Sequence, residues 1–76
     1  MKKTMTAMYV INSEYGENKI TCEAIGEYTI KGYDYVIGKI WRDSNGGLWY
    51  LWRFSRKYVF VPFTNKDDKY VIHLYN

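Results

Sequence analysis

Apolar and polar positions in this chain alternate over short runs, and no window sustains the roughly 3.6-residue repeat of an amphipathic helix. Between turn signals every segment is rich in Val, Ile, Thr, Tyr, Phe or Trp, the residues that fit a pleated surface. The pattern predicts six strands. The first runs from Thr4 to Asn12 and ends in the polar run Ser13-Glu14-Tyr15-Gly16-Glu17-Asn18. The second spans Lys19 to Ile30, with Gly26 as a bulge that bends it. Lys31-Gly32 turns the chain into the third, Tyr33 to Arg42. The fourth is Leu48 to Ser55, the fifth Tyr58 to Phe63 and the sixth Tyr70 to Tyr75. Pro62 belongs on a sheet edge, because proline donates no ladder hydrogen bond. Thr64-Asn65-Lys66-Asp67-Asp68 makes the last turn.

The strongest local signal is Asp43-Ser44-Asn45-Gly46-Gly47, between two aromatic-rich strands. Asn-Gly favours a type I′ hairpin turn, in which both central residues take positive φ. That turn pairs Arg42 with Trp49, Trp41 with Tyr50, Lys39 with Trp52 and Gly38 with Arg53. One face then carries Ile37, Lys39, Trp41, Tyr50, Trp52 and Phe54; as the more apolar it is predicted to be core. The other carries Ile40, Arg42, Trp49, Leu51 and Arg53, with Arg53 opposite the bare Gly38, and is predicted to meet a ligand. A one-residue slip would scramble this grouping.

Residues 1–76 make one all-β antiparallel domain of five to six strands. A chain this short buries only about 60% of the surface it exposes when unfolded. Curling into a small barrel of the SH3-like or OB-like kind encloses the most apolar area, and a flatter sheet would need a second copy. Fifteen aromatics, nine of them tyrosine, supply large buried area per residue and rings to spare for the surface.

Charge changes the picture by its distribution. The net charge is +3, but residues 1–38 carry four basic and five acidic side chains while residues 39–76 carry seven and three. Positive charge belongs to the second half. The single cysteine, Cys22, excludes an internal disulfide and fits a cytoplasmic compartment. Met1-Lys2-Lys3 is followed by Thr4-Met5-Thr6, too polar for a signal peptide, and no apolar run is long enough to span a membrane.

The search for chemistry returns little. The chain has no nucleophile elbow, zinc-protease helix or phosphate-binding loop. His73 stands alone, far from Cys22, so neither a metal site nor an oriented general base is predicted, and no cofactor is expected. Cys22 beside Glu23 reads as a small buried hydrophobe, because a neighbouring acid raises thiol pKa. A non-enzymatic binding protein follows.

From Lys39 to Phe60 the chain holds five basic residues, one acid and seven aromatics, including every tryptophan and arginine of the protein. Cations for phosphates interleaved with rings for bases are the parts of a single-strand platform. The candidate site is Lys39, Arg42, Trp49, Arg53, Arg56 and Lys57. Gly38-Lys39-Ile40-Trp41-Arg42-Asp43 leading to a tight turn, with this aromatic density, resembles small SH3-like barrels. In size, charge and lack of motifs the chain also resembles small proteins that large bacteriophages make early in infection to take over the host. That resemblance implies binding to host nucleic acid or to a host enzyme. The expected partner is single-stranded RNA or DNA, ahead of duplex because rings outnumber charges. The alternative is a protein partner met by the same aromatic surface, since Tyr, Trp and Arg dominate interface hot spots. A monomer or an edge-paired homodimer fits either, and no membrane role is expected.

Overall fold

The computed structural model describes residues 2–11 and 14–76, and every regular element among them is a strand. The strands are β1 (Thr4–Ile11), β2 (Glu14–Ile30), β3 (Val36–Arg42), β4 (Leu48–Phe54), β5 (Lys57–Pro62) and β6 (Tyr70–Leu74). They form one sheet in the order β1-β5-β4-β3-β2-β6, and an added β1–β2 pairing closes the first five into a barrel. Neighbours from β1 to β5 are antiparallel, as short turns require. An up-and-down run of five leaves its first and last strands pointing the same way, so the seam must be parallel. It is, through Met8↔Val59 and Tyr9↔Phe60.

β2 organises the rest. On one edge its first part pairs with β1, from Met8↔Lys19 to Thr4↔Glu23, and its last part with β6, from Gly26↔Leu74 to Ile30↔Tyr70. The handover lies at the bulge expected near Gly26: the register against β3 shifts between Ala24 and Gly26, leaving Ile25 as the extra residue. A side chain at position 26 would begin 2.5 Å from the His73 carbonyl oxygen, so only glycine lets β6 approach here.

The barrel interior takes alternate residues from each strand. Ala7, Cys22, Ala24, Trp41, Trp49 and Phe60 form its buried cluster, with Met5, Tyr9, Ile20 and Leu51 packed against it. Rings meet edge to face, Tyr9 with Trp49 at 5.6 Å and Trp41 with Phe60 at 5.7 Å. Cys22 is the expected buried hydrophobe. Its thiol is pushed up to about 11, by burial first and Asp43 second rather than by Glu23.

Several strand ends differ from expectation. Asn12 and Ser13 lie outside the described residues, but β2 already begins at Glu14, and Glu14 and Tyr15 pair with Ile11 and Val10 before the register shifts ahead of Met8↔Lys19. Ladder bonds belong to the backbone and tolerate a polar run. Tyr33 to Tyr35 precede β3, after a turn closed by Tyr33 N–H to the Ile30 carbonyl (2.9 Å) with Gly32 at φ +89°. β4 and β5 are joined through Ser55 and Arg56, at φ 47° and 70°, so β5 starts at Lys57. Pro62 ends β5, beyond the short β1 seam, in keeping with an edge position.

Candidate functional site

The β3–β4 hairpin overturns the sequence-derived register. Trp41 pairs with Trp49 and Arg42 with Leu48, one residue away from the expected pairing. The loop is not a two-residue Asn-Gly turn. Asp43 N–H donates to the Gly47 carbonyl (3.0 Å) and Gly46 N–H to the Asp43 carbonyl (3.1 Å), and Gly46 takes φ +87°. This is a three-residue connection of the turn-plus-bulge type. The Asp43 carboxylate fixes it: Oδ1 accepts from Asn45 N–H and Gly47 N–H at 2.8 Å each, and Oδ2 accepts from Trp49 Nε1–H at 2.7 Å. Those bonds hold the carboxyl below its ordinary pKa, with Trp49 the largest contributor.

The slip reverses the side chains of β4. Trp49, expected to face a ligand, is 8% exposed inside the barrel, and Trp52, expected in the core, is 56% exposed outside. The expected opening at Gly38 is also filled. Gly38 lies opposite Tyr28, whose ring would meet an added Cβ at 3.2 Å, and Arg53 pairs with Tyr58 rather than with Gly38.

The remaining candidate residues separate. Arg42 stays at the loop end of the hairpin, 3.8 Å from Glu23. Arg53, Arg56 and Lys57 are exposed at the opposite end of β4, around the Ser55-Arg56 turn. Lys39 is half-buried at the barrel mouth. There β3 and β4 part after only two paired positions, leaving a pocket of about 300 Å³ lined by Lys3, Met5, Lys39, Trp41, Leu51 and Tyr58. The Lys39 ammonium, as a hydrogen-bond donor first and a like charge second, disfavours the charged form of Lys3 and holds it below the ordinary lysine pKa. His73 is exposed and lies 3.2 Å from Thr29 Oγ1, as a surface strand histidine would.

A larger groove, about 510 Å³, lies on the outer face. Tyr50, Trp52 and Ile37 form one wall, and the connection from β5 to β6 forms the other. Tyr28, Phe63 and Tyr70 build its aromatic bed, with centroids 5.1 Å (Tyr28–Phe63), 5.2 Å (Tyr28–Tyr70) and 5.7 Å (Phe63–Tyr70) apart. Burial raises the Tyr28 pKa, with Tyr70 and then Tyr50 adding to it. Asn65 clasps the connection by accepting from Tyr70 N–H (2.9 Å) and donating to the Tyr70 carbonyl (3.0 Å). Lys66 and Lys69 also line the groove, and Lys69 Nζ stands 5.5 Å from the Tyr70 ring centroid.

Sequence reasoning missed Lys66 and Lys69 because only folding brings their connection against β4. It missed Trp52 because Leu48 to Phe54 is apolar on both faces, so alternation could not choose between them. The signal that would have placed Trp52 is Asp43, a carboxylate placed to bind the amides of a longer loop and so to change its parity. Among the described residues, no group of three or more His, Cys, Asp or Glu side chains could hold a metal ion. No protein-family model matches the chain, and no curated protein or solved structure matches it.

Proposed function

We propose that this chain is a binding module for single-stranded nucleic acid, and that the strand lies in the outer groove with a base stacked on Trp52. The observation that carries this reading is an indole more than half exposed in a ring-lined groove with Lys66 and Lys69 at hand. Large rings left in water cost apolar hydration unless a partner covers them, and bases are flat partners of any sequence. Arg53, Arg56 and Lys57 extend the positive surface at the near end of β4, and among the described residues none of them forms an ion pair. Arg56 is held at the turn tip in a left-handed conformation that glycine would adopt at lower cost, which supports a role for its side chain.

The test is fluorescence anisotropy with unstructured RNA and DNA oligonucleotides across a salt series. With about three to five phosphate contacts, log K should fall against log salt with a slope of about −2 to −3.5. Absence of binding to every oligonucleotide at low salt would overturn the reading. Capture of a host protein that survives nuclease treatment would then point the same groove at a protein surface.

A further inference from the structure

The mouth pocket between β3 and β4 is separate from the stacking groove, and its lining is chemically specific. Lys3 and Lys39 face one another over an apolar bed of Met5, Leu51 and Tyr58. Glu27 is the ladder partner of Lys39, yet among the described residues neither lysine forms an ion pair. Two ammonium groups in one pocket repel, and Lys39, as hydrogen-bond donor first and like charge second, holds Lys3 below the ordinary lysine pKa. An anion between them would relieve the repulsion. Trp41, 2% exposed, lies among its lining residues.

We infer that the barrel mouth receives the terminal phosphate of a bound single strand, between Lys3 and Lys39, with the adjoining nucleoside against Tyr58 and Leu51. This rests on the single-strand reading of the outer groove. A terminal phosphate carries roughly −1.5 to −2 near neutral pH, whereas a diester within the strand carries only one charge, so the end is the better match for two cations. The route is short. Ile37 and Trp52 of the parted strands line the groove, and Lys39 and Leu51 of the same strands line the mouth.

The experiment compares one oligonucleotide bearing a 5′-phosphate, a 3′-phosphate or hydroxyls at both ends, against the intact chain and its Lys3→Gln, Lys39→Gln and Lys39→Arg variants. One phosphorylated end should bind about five- to tenfold tighter than the hydroxyl strand. That preference should vanish in both glutamine variants and persist in Lys39→Arg, with hydroxyl-strand affinity unchanged. Equal affinity for all three strands overturns the inference while leaving the groove reading intact, and so does a preference that survives both glutamine variants. If no strand binds at all, both fall. Circular dichroism of each variant separates loss of preference from loss of fold.

Discussion

Trp49 and Trp52 lie on one strand, three residues apart, and their surroundings are opposite in kind. Trp49 is enclosed in the barrel, edge-on to Tyr9, with its indole N–H bound to Asp43. Trp52 stands over the outer groove with more than half its surface in water. The interior is a region where each ring already has its partners. The groove is one where rings have been gathered, Tyr28, Phe63 and Tyr70 against each other, and one face of the set is left open. Aromatic density alone does not say which ring binds. In a strand apolar on both sides, the parity of the preceding turn decides, and here one carboxylate sets the parity.

The largest expected effect comes from exchanging the fates of the two tryptophans. Trp49→Ala removes a buried ring and leaves an indole-sized hole, at a cost of about 3–5 kcal/mol. Much of a small domain's stability is lost, so urea unfolding should find the variant largely unfolded. Trp52→Ala should keep the wild-type unfolding free energy to within about 1 kcal/mol, yet bind a single strand about 1–3 kcal/mol more weakly. If Trp52→Ala unfolds and Trp49→Ala folds, the two regions have been misassigned.

Asp43 links the regions, and its removal comes next in size. Asp43→Ala strands the Trp49 indole N–H inside the barrel, which costs about 1–3 kcal/mol. The pH dependence has a definite sign. The folded carboxyl titrates below its ordinary value, so its contribution is complete above that value and lost as pH falls through the lowered one. The stability gap between wild type and Asp43→Asn should therefore be constant above about pH 5 and shrink in more acid solution. A gap that widens on acidification would contradict the hydrogen-bond geometry.

Much of the barrel was legible in the sequence and the site was not, for separable reasons. Six strands could be read because β-branched and aromatic runs are broken by Gly32, Asn45-Gly46 and Thr64 to Asp68, and the bend near Gly26 because glycine inside a strand pattern marks a bulge. Closure was expected from length and aromatic content. The register of β3 against β4 was lost because Asn-Gly has a strong two-residue preference of its own, which the side-chain bonds of Asp43 override. Everything about the hairpin's faces hung on that one residue of register. Lys66 and Lys69 were illegible for another reason: only tertiary folding brings the β5–β6 connection against β4.

A smaller effect is expected at the end of β4. Ser55 and Arg56 both adopt positive φ without being glycine, at about 1–2 kcal/mol per residue. Arg56→Gly should relieve part of this, partly offset by the greater freedom of glycine in the unfolded chain, for a net gain of at most about 1 kcal/mol. The same variant should bind a single strand more weakly and with a flatter salt slope. A variant that is less stable would mean the Arg56 side chain holds the turn together.

The most direct measurement follows the three indole N–H resonances by nuclear magnetic resonance as an unstructured oligonucleotide is added. Trp52→Phe identifies one signal by its disappearance, and the Trp49 signal carries the mark of its bond to Asp43. We expect the Trp52 resonance to move in proportion to saturation, while that of Trp49 stays in place inside the barrel. A shift of the Trp49 resonance with Trp52 unmoved would contradict the assignment of the outer groove as the binding surface.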